Sequence, residues 1–272
     1  MSIKPFIIPT DSSREASIKQ RMANYQWPVE MQLGAGENPW AYGMDQGWLK
    51  DFCRYVVEDY KWQATVDELN RFDHFTAEID DLNIHFIREE GSGDNPKPLL
   101  ISHGWPGSVY EFIDVIDRLA HPENYGGDAQ DGVTVICPSL PGYGFSDMPP
   151  RPIGQVTTAA LWNKLMVEVL GFKSYIAQGG DWGSVVTSLI GLNHSEAKGG
   201  GCSAIHINMY GLRANAEPET EEENQWVADT QAVIQAESAY LQLQVTKPQT
   251  LIYAMRESPV GAAAWILEKF YS

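Results

Sequence analysis

Asp181 is the residue whose type and surroundings most directly suggest a reaction. It stands in the middle of Gly179-Gly180-Asp181-Trp182-Gly183, directly after a short apolar run. This small-x-nucleophile-x-small spacing is typical of a sharp turn from a strand into a helix, where glycines relieve a strained backbone. A serine there would form an ether with a saturated carbon, whereas an aspartate forms an ester that water can cleave. The pattern therefore predicts alkyl transfer followed by hydrolysis, with epoxides or alkyl halides as suitable substrates.

A second motif, HGWPGS at residues 103–108, bears on whether Asp181 has that role or only caps a helix. Aspartate is a favoured N-cap, so the turn alone leaves both interpretations open. HGWPGS follows an apolar run and has the character of a loop that supplies a backbone N–H to an oxyanion hole. We expect the N–H groups of Trp105 and Trp182 to stabilise the oxyanion that forms when the ester carbonyl becomes tetrahedral. His103 is interpreted as a structural residue of the loop.

Apolar side chains near the two motifs are candidates for a substrate pocket. Trp105 and Trp182 could equally be core aromatics, but their places beside Asp181 favour the lining of an apolar pocket. The candidate pocket residues are Trp105, Pro106, Phe112, Phe145, Trp182 and Met209.

Buried strands that alternate with helices are predicted to position these motifs. Four short apolar runs, separated by helical segments, indicate a parallel α/β sheet that binds ligands beyond its strand ends. These runs are residues 98–105, 133–140, 174–181 and 202–209. Upstream, residues 13–70 have helical patterns, and residues 75–89 alternate as in a β-hairpin. After residue 212 the chain becomes helical and acidic.

The composition excludes several classes of function. The chain has 272 residues and a formal net charge of −17. This acidity argues against nucleic-acid partners and against docking on anionic membranes, because both need clustered Lys and Arg. Cys53, Cys137 and Cys202 fit neither a zinc site nor a disulfide framework. The N-terminus has no apolar run long enough for a signal peptide or a membrane span, and we expect a cytoplasmic protein.

Five ordered segments resemble one enzyme family. The segments are YKWQATVDELNRFDHFTAEIDDLNIHFIRE, HGWPGS, PSLPGYGFS, GGDWGS and VTKPQTLIYAMRESPVGAAAWILEKF. They are similar to the α/β-hydrolase-fold epoxide hydrolases of the microsomal-type branch. The resemblance implies an α/β-hydrolase fold with a mostly parallel sheet, divided into an N-terminal extension (1–74), a partial core (75–212) and a partial helical lid (213–272). It also implies that a small apolar epoxide and water give a vicinal diol, with no cofactor and no metal.

The resemblance assigns a proton donor as well. Tyr240 matches a lid tyrosine that protonates the epoxide oxygen, and a phenol with a pKa of about 10 is protonated at neutral pH. By spacing alone, Tyr240 would be an ordinary lid tyrosine like Tyr253. We expect its hydroxyl to project toward Asp181. The resemblance further implies a cis peptide bond between Trp105 and Pro106.

Cleavage of the ester requires a base that activates water, and the sequence offers no good histidine for it. His194 lies near the end of the helix after Asp181, and His206 lies within an apolar run. The resemblance places the histidine, its acid partner, a second lid tyrosine and the last two strands beyond Ser272. We therefore expect a C-terminal fragment or a second chain to supply them, and a homodimer is compatible with the family.

Two other interpretations stay open. A haloalkane dehalogenase uses the same aspartate, often followed by tryptophan, but more often carries an asparagine at the position of Trp105. The alternative from another class is a non-catalytic binding module, in which a truncated hydrolase keeps its pocket and not its chemistry.

Overall fold

The computed structural model describes residues 2–209 and 217–271, which form two compact units. The first unit contains residues 2–9 and 65–209, and the second contains residues 10–64 and 217–271. The predicted boundary between core and lid, at residues 212 and 213, lies outside the described residues. The three predicted segments stay a prediction.

A mixed β-sheet forms the centre of the first unit. Within the described residues its strands are β1 (Ile3–Phe6), β2 (Asp73–Ile79), β3 (Leu82–Glu89), β4 (Lys97–Ser102), β5 (Val133–Pro138), β6 (Tyr175–Gly179) and β7 (Cys202–Ile207). Their order is β1-β2-β3-β5-β4-β6-β7. The pairs that join β1, β2, β3 and β5 are antiparallel, and those that join β5, β4, β6 and β7 are parallel. The four apolar runs are thus confirmed as a parallel group.

The predicted hairpin is β2 and β3, joined by a two-residue turn. Asp80 and Asp81 both have positive φ, 49° and 64°, and Ile79 pairs with Leu82. Two successive left-handed residues match the twist of antiparallel strands, and aspartate tolerates that conformation better than most side chains. The turn therefore sets the register in which the inward residues of both strands enter the core.

Helices cover the sheet and build the second unit. Within the described residues they are α1 (Ser12–Ala23), α2 (Gln46–Glu58), α3 (Trp62–Leu69), α4 (Ile113–Ala120), α5 (Gln155–Lys164), α6 (Trp182–Asn193), α7 (Glu221–Glu237), α8 (Ala239–Thr246), α9 (Pro248–Glu257) and α10 (Pro259–Tyr271). A π-helical turn, Leu165–Val169, continues α5. None of these helices is long and apolar enough to cross a lipid bilayer.

The core of the first unit lies between the sheet and its helices. Trp162 of α5 is fully buried, and its indole N–H donates to Ser102 Oγ over 2.9 Å. This bond joins the helix layer to the end of β4, immediately before the HGWPGS loop. Cys137 and Cys202 are buried here as free thiols, in agreement with their apolar sequence surroundings.

The second unit has a small core of its own. Met22 of α1, Leu49 and Cys53 of α2 and Val260 of α10 form a buried cluster. The helical spacing of Trp48, Phe52, Tyr55 and Val56 identifies α2 correctly but shows its buried face only in part. Trp48 and Tyr55 are exposed, because Leu49 and Cys53 face the core instead. Helical structure after residue 212 is confirmed from Glu221 onward.

Candidate active site

Asp181 occupies a sharp turn between β6 and α6. β6 ends at Gly179, and α6 begins at Trp182. Asp181 has φ 48° and ψ −128°, a conformation that non-glycine residues seldom adopt. Such backbone geometry costs of the order of 1–3 kcal/mol and persists only where its surroundings enforce it. The predicted strand–turn–helix is therefore present, with its strain at the residue expected to react.

The glycines on either side of Asp181 are required by close packing. A Cβ atom on Gly183 would collide with the carbonyl oxygen of Ser102, which ends β4. A Cβ on Gly179 would collide with the carbonyl oxygen of Gly183 and come within 2.7 Å of Thr187 Oγ1. Glycine at position 183 therefore allows α6 to approach the end of β4, and glycine at position 179 allows β6 to pack against the start of α6.

The Asp181 side chain contacts the HGWPGS loop and does not cap its own helix. Although Asp181 occupies the N-cap position of α6, its carboxylate makes no capping hydrogen bond there. Instead, the backbone N–H of Trp105 donates to Asp181 Oδ1 over 2.8 Å. A Cβ on Gly104 would collide with this carboxylate, so the loop approaches it as closely as glycine allows. Helix capping therefore does not account for the aspartate.

Two further features of the predicted oxyanion hole can be located. The peptide bond between Trp105 and Pro106 is cis, as predicted. Trp182 is the first residue of α6, so its N–H is one of the four at the helix start that have no partner within the helix. The role of the Trp182 N–H as the second donor stays a prediction.

His103 holds the loop in place, which confirms its structural interpretation. Its Nε2 accepts a hydrogen bond from the N–H of Leu140 over 3.0 Å, so the ring proton lies on Nδ1. Nδ1 lies 3.0 Å from the carbonyl oxygen of Gly104 and donates to it. Burial lowers the pKa of His103, although the Gly104 carbonyl and the charge of Asp181 oppose the shift. Both ring nitrogens of this neutral side chain are therefore engaged.

Two titratable groups near Asp181 were not found by sequence reasoning. Burial raises the pKa of the Glu111 carboxyl, and the charge of Asp181 raises it further, whereas a hydrogen bond from the Gly104 backbone lowers it. Burial also raises the pKa of Tyr143, with a second contribution from Asp181. Neither residue has a sequence neighbourhood that marks it as functional, and only the folded chain brings them to the aspartate.

A cavity of about 150 Å³ lies beside the turn. Trp182 lines it, as expected of a pocket residue, and Tyr143 forms another part of its wall. Its other lining residues are Leu140, Pro141, Ile153, Gly154, Gln155, Thr158 and Val186. The volume is small for a substrate site, but the cavity adjoins the strained turn through Trp182.

The other predicted pocket residues occupy several places in the first unit. Phe112 ends a 3-10 turn after the loop. Phe145 packs against Phe6 and His85, with ring centroids 5.4 and 5.2 Å away. Met209 follows β7 and is exposed. With Trp105 and Pro106 in the loop itself, their part in a substrate pocket stays a prediction.

The remaining predicted or rejected site residues can also be located. Tyr240 lies in α8 of the second unit, where Lys269 Nζ is 5.3 Å from its ring centroid. Its approach to Asp181 stays a prediction. His194 ends α6, and His206 lies in β7 opposite Gln178. Within residues 2–209 and 217–271, no group of three or more His, Cys, Asp or Glu side chains could hold a metal ion.

Comparison with protein families finds two matches that overlap in the HGWPGS region. Residues 3–112 match the epoxide hydrolase N terminus, and residues 97–245 match the alpha/beta hydrolase fold. The second match covers more than half of the chain and includes the loop, the turn and Asp181.

Individual proteins with similar sequences carry epoxide hydrolase names. A putative epoxide hydrolase from Stigmatella aurantiaca is 37% identical, over 98% of this chain and 60% of its own length. Epoxide hydrolase 1 from Sus scrofa is 34% identical, over 99% of this chain and 62% of its own length. The chain thus spans about three fifths of the curated relatives that it matches.

Solved structures give the same pattern. The juvenile hormone epoxide hydrolase of the silkworm Bombyx mori superposes with a TM-score of 0.81 at 32% identity, over 99% of this chain and 63% of that one. The epoxide hydrolase of Aspergillus niger superposes with a TM-score of 0.86 at 27% identity, over 99% of this chain and 69% of that one.

Proposed function

Because the chain belongs to the alpha/beta hydrolase fold family and begins with an epoxide hydrolase N-terminal region, we propose that it acts as an epoxide hydrolase. In this proposal Asp181 opens the epoxide of a small apolar substrate and forms an ester with it. Water then cleaves the ester to release a vicinal diol.

One observation carries the assignment of Asp181. Its Oδ1 accepts a hydrogen bond from the Trp105 N–H, and its side chain makes no capping hydrogen bond to α6. A carboxylate held by one backbone donor on a strained turn is oriented before a substrate arrives. The names of the relatives, which are epoxide hydrolases, supply the substrate class.

The hydrogen bond from Trp105 gives the two carboxylate oxygens different tasks. Oδ1 is engaged by the loop, so Oδ2 is the oxygen that attacks an epoxide carbon. As the new C–O bond forms, the ring C–O bond breaks and its electron pair goes to the epoxide oxygen. Tyr240, the predicted donor, gives that oxygen its proton, and the product of this step is an ester at Oδ2.

In the second step Oδ1 becomes the oxyanion. Water attacks the Asp181 carboxyl carbon while a base accepts its proton, and negative charge develops on Oδ1. The Trp105 N–H already points at this atom, and the N–H of Trp182 is the predicted second donor. Collapse of the tetrahedral intermediate breaks the bond between the carboxyl carbon and the original Oδ2, which leaves as a hydroxyl oxygen of the diol. The two protons of the attacking water go to this oxygen and to the Tyr240 phenolate, so the enzyme returns to its starting state. No residue of this chain is assigned as the base.

The proposal is tested with one epoxide and one chloroalkane of similar size, each incubated with the full-length protein. An epoxide hydrolase produces diol and leaves the chloroalkane unchanged. Release of halide without diol would support the haloalkane dehalogenase instead. The mass of the peptide that contains Asp181 shows whether the epoxide becomes attached there. Attachment without release of diol would support the non-catalytic binding module.

The proposed chemistry uses only side chains and water. It therefore requires neither cofactor nor metal, as the resemblance to epoxide hydrolases implies. The cytoplasmic location and a role in detoxification are part of this proposal and come from the sequence.

A further inference from the structure

The cavity beside Trp182 lies at the same edge of the sheet as Asp181. β4 pairs in parallel with both β5 and β6, so the segments that follow the carboxyl ends of these strands meet at one edge. The segment after β5 supplies Leu140 and Tyr143 to the cavity wall, and the segment after β6 supplies Trp182. A ligand in the cavity is therefore on the reactive side of the sheet.

Two residues of the wall are joined to the loop that contacts Asp181. The N–H of Leu140 donates to His103 Nε2 over 3.0 Å, and the ring of Tyr143 lies against the ring of His103 with centroids 5.5 Å apart. His103 stands two positions before Trp105, whose N–H donates to Asp181. Burial raises the pKa of Tyr143, and the charge of Asp181 raises it further. The cavity and the carboxylate thus belong to one packed region.

The part of the wall around Tyr143 is fixed by the chain itself. Gly142 and Gly144 have positive φ, 83° and 52°, and turn the backbone on either side of Tyr143. The N–H of Tyr143 donates to the Leu140 carbonyl over 2.9 Å, and the carbonyl of Tyr143 accepts from the N–H of Ser146 over 3.0 Å. A wall that is already ordered binds a ligand without the cost of ordering it.

Three further residues give the cavity an apolar surface. Trp182 and Val186 are four residues apart in α6, so their side chains lie on one face of that helix. Ile153, just before α5, packs with Trp182 against the main core of the first unit. The polar side chains of the lining do not depend on a ligand. Thr158 Oγ1 donates to a backbone carbonyl at the start of its own helix over 3.3 Å, and Gln155 is partly exposed to water.

The volume of the cavity sets the size of its occupant. The cavity measures about 150 Å³. An engineered apolar cavity of about 150 Å³ in another protein binds benzene. Sites that enclose a drug-sized ligand measure about 300–1,000 Å³, so this cavity is too small for a whole bulky epoxide. It suits one compact apolar group of a substrate whose reacting carbon lies outside it.

From these features we infer that the cavity is a subsite for the substituent of the epoxide, and that this substituent is a compact apolar group about the size of a phenyl ring. The substituent lies against Tyr143 and Trp182, while the three-membered ring stays at Asp181. The inference rests on the proposed function for the identity of the substrate, but the fit of an apolar ring to the cavity does not depend on any reaction.

Three variants of the full-length protein test the inference. Ile153→Phe fills the cavity with a ring of its own, and Ile153→Ala enlarges the cavity. Val156→Phe is the matched control, since Val156 lies in the first turn of α5, is exposed and does not line the cavity. If Ile153→Phe does not fold, the wild-type protein and Ile153→Ala still decide the outcome.

The first measurement is a titration with benzene, followed through the methyl NMR signals of Val186, which needs no catalytic activity. We expect saturable shifts of these signals in the wild-type protein, in Ile153→Ala and in Val156→Phe, and none in Ile153→Phe. Absence of a saturable shift in the wild-type protein would overturn the inference, and so would a wild-type response in Ile153→Phe.

The second measurement is kcat/KM for three epoxides that carry a methyl, a phenyl or a naphthyl substituent. Ratios between two epoxides, compared across the variants, remove differences in intrinsic reactivity. One extra or missing methylene in an apolar pocket changes kcat/KM by about 10–200-fold, so the phenyl-to-methyl ratio should fall by at least ~10-fold in Ile153→Phe. The naphthyl-to-phenyl ratio should rise by at least ~10-fold in Ile153→Ala, because the larger cavity admits the larger ring.

Ratios for both Ile153 variants within about 2-fold of those for Val156→Phe would contradict the subsite, even if benzene binds. If the wild-type protein converts none of the three epoxides to a diol, the proposed function fails. The benzene titration then still decides whether the cavity accepts an apolar ring.

Discussion

At the scale of single residues, the two oxygens of Asp181 lead to an isotope prediction. In a single turnover in H₂¹⁸O with enzyme in excess, the diol should carry oxygen from the protein, and the label should appear in the peptide that contains Asp181. Asp181→Asn should abolish ester formation, because a neutral amide is a poor nucleophile. Mass spectrometry of product and peptide measures both. Label that appears directly in the diol, with none in the protein, would mean that water attacks the epoxide itself.

Tyr240 leads to a prediction about the first step alone. Tyr240→Phe keeps the ring and removes the proton, so ring opening should slow by up to the ~10²–10⁴-fold typical of a positioned acid. Hydrolysis of an ester already formed should be little affected. Rapid mixing separates the two rates, and Tyr253→Phe, a change at an exposed tyrosine of α9, is the control. Equal effects of the two substitutions would remove Tyr240 from the mechanism.

At the scale of elements, the contact between α6 and the end of β4 predicts an unusual effect of alanine. Gly183 lies in a helix, where alanine normally stabilises by about 0.5–1 kcal/mol. Gly183→Ala should instead reduce the free energy of unfolding, by roughly 1–3 kcal/mol or more, because its methyl group would meet Ser102 backbone. Urea denaturation measures the difference. Gly154→Ala, with no atom within 4 Å of the added methyl group, should be nearly neutral.

Elements formed by local patterns could be predicted from the sequence, whereas those formed by distant contacts could not. The apolar runs and the Asp80-Asp81 turn carry their structure in neighbouring residues. β1 was not predicted, because the segment is short and contains Pro5. A β-sheet tolerates proline in an edge strand, and β1 is an edge strand. Asp181 could be identified from the sequence because of the glycines around it. Glu111 could not be identified in this way, because only the folded chain brings its carboxyl group near Asp181.

A buried pair of histidines joins β2 and β3 to the residue after β5 in a chain of hydrogen bonds. His74 Nε2 lies 2.8 Å from the Leu69 carbonyl and donates to it, so its Nδ1 accepts from His85 Nε2 over 2.9 Å. His85 Nδ1 then accepts from Ser139 Oγ, also over 2.9 Å. In this arrangement each imidazole has one donor and one acceptor nitrogen, as the neutral form does. Burial lowers the pKa of His74 and lowers that of His85 to about 3.

At the scale of the whole molecule, this pair predicts loss of stability in mild acid. As the pH falls below about 6.5, these histidines bind protons more readily in the unfolded chain than in the folded one, so acid favours unfolding. For His85, the free energy of unfolding should fall by about 1.4 kcal/mol in total between a pH of about 7.5 and about 5.5, and His74 should add to this loss. Denaturation at several pH values between about 7.5 and 5.5 measures the slope. His85→Gln should lower stability at neutral pH and reduce this slope, whereas His206→Gln, at an exposed position, should leave the slope unchanged.

The hydrogen bond from Trp105 to one oxygen of Asp181 has a consequence that extends over successive reaction cycles. Under the proposed mechanism, the oxygen that water delivers in one cycle takes the position that the Trp105 N–H does not hold. It then leaves with the product of the following cycle, so each diol molecule contains an oxygen that the protein took from the solvent one cycle earlier. Protein that has turned over in H₂¹⁸O and is then transferred to ordinary water should release one labelled diol per active site. All later diol should be unlabelled. A carboxylate that rotated between cycles would instead spread the label over several products, so the decay of the label measures how firmly a single backbone amide holds its partner.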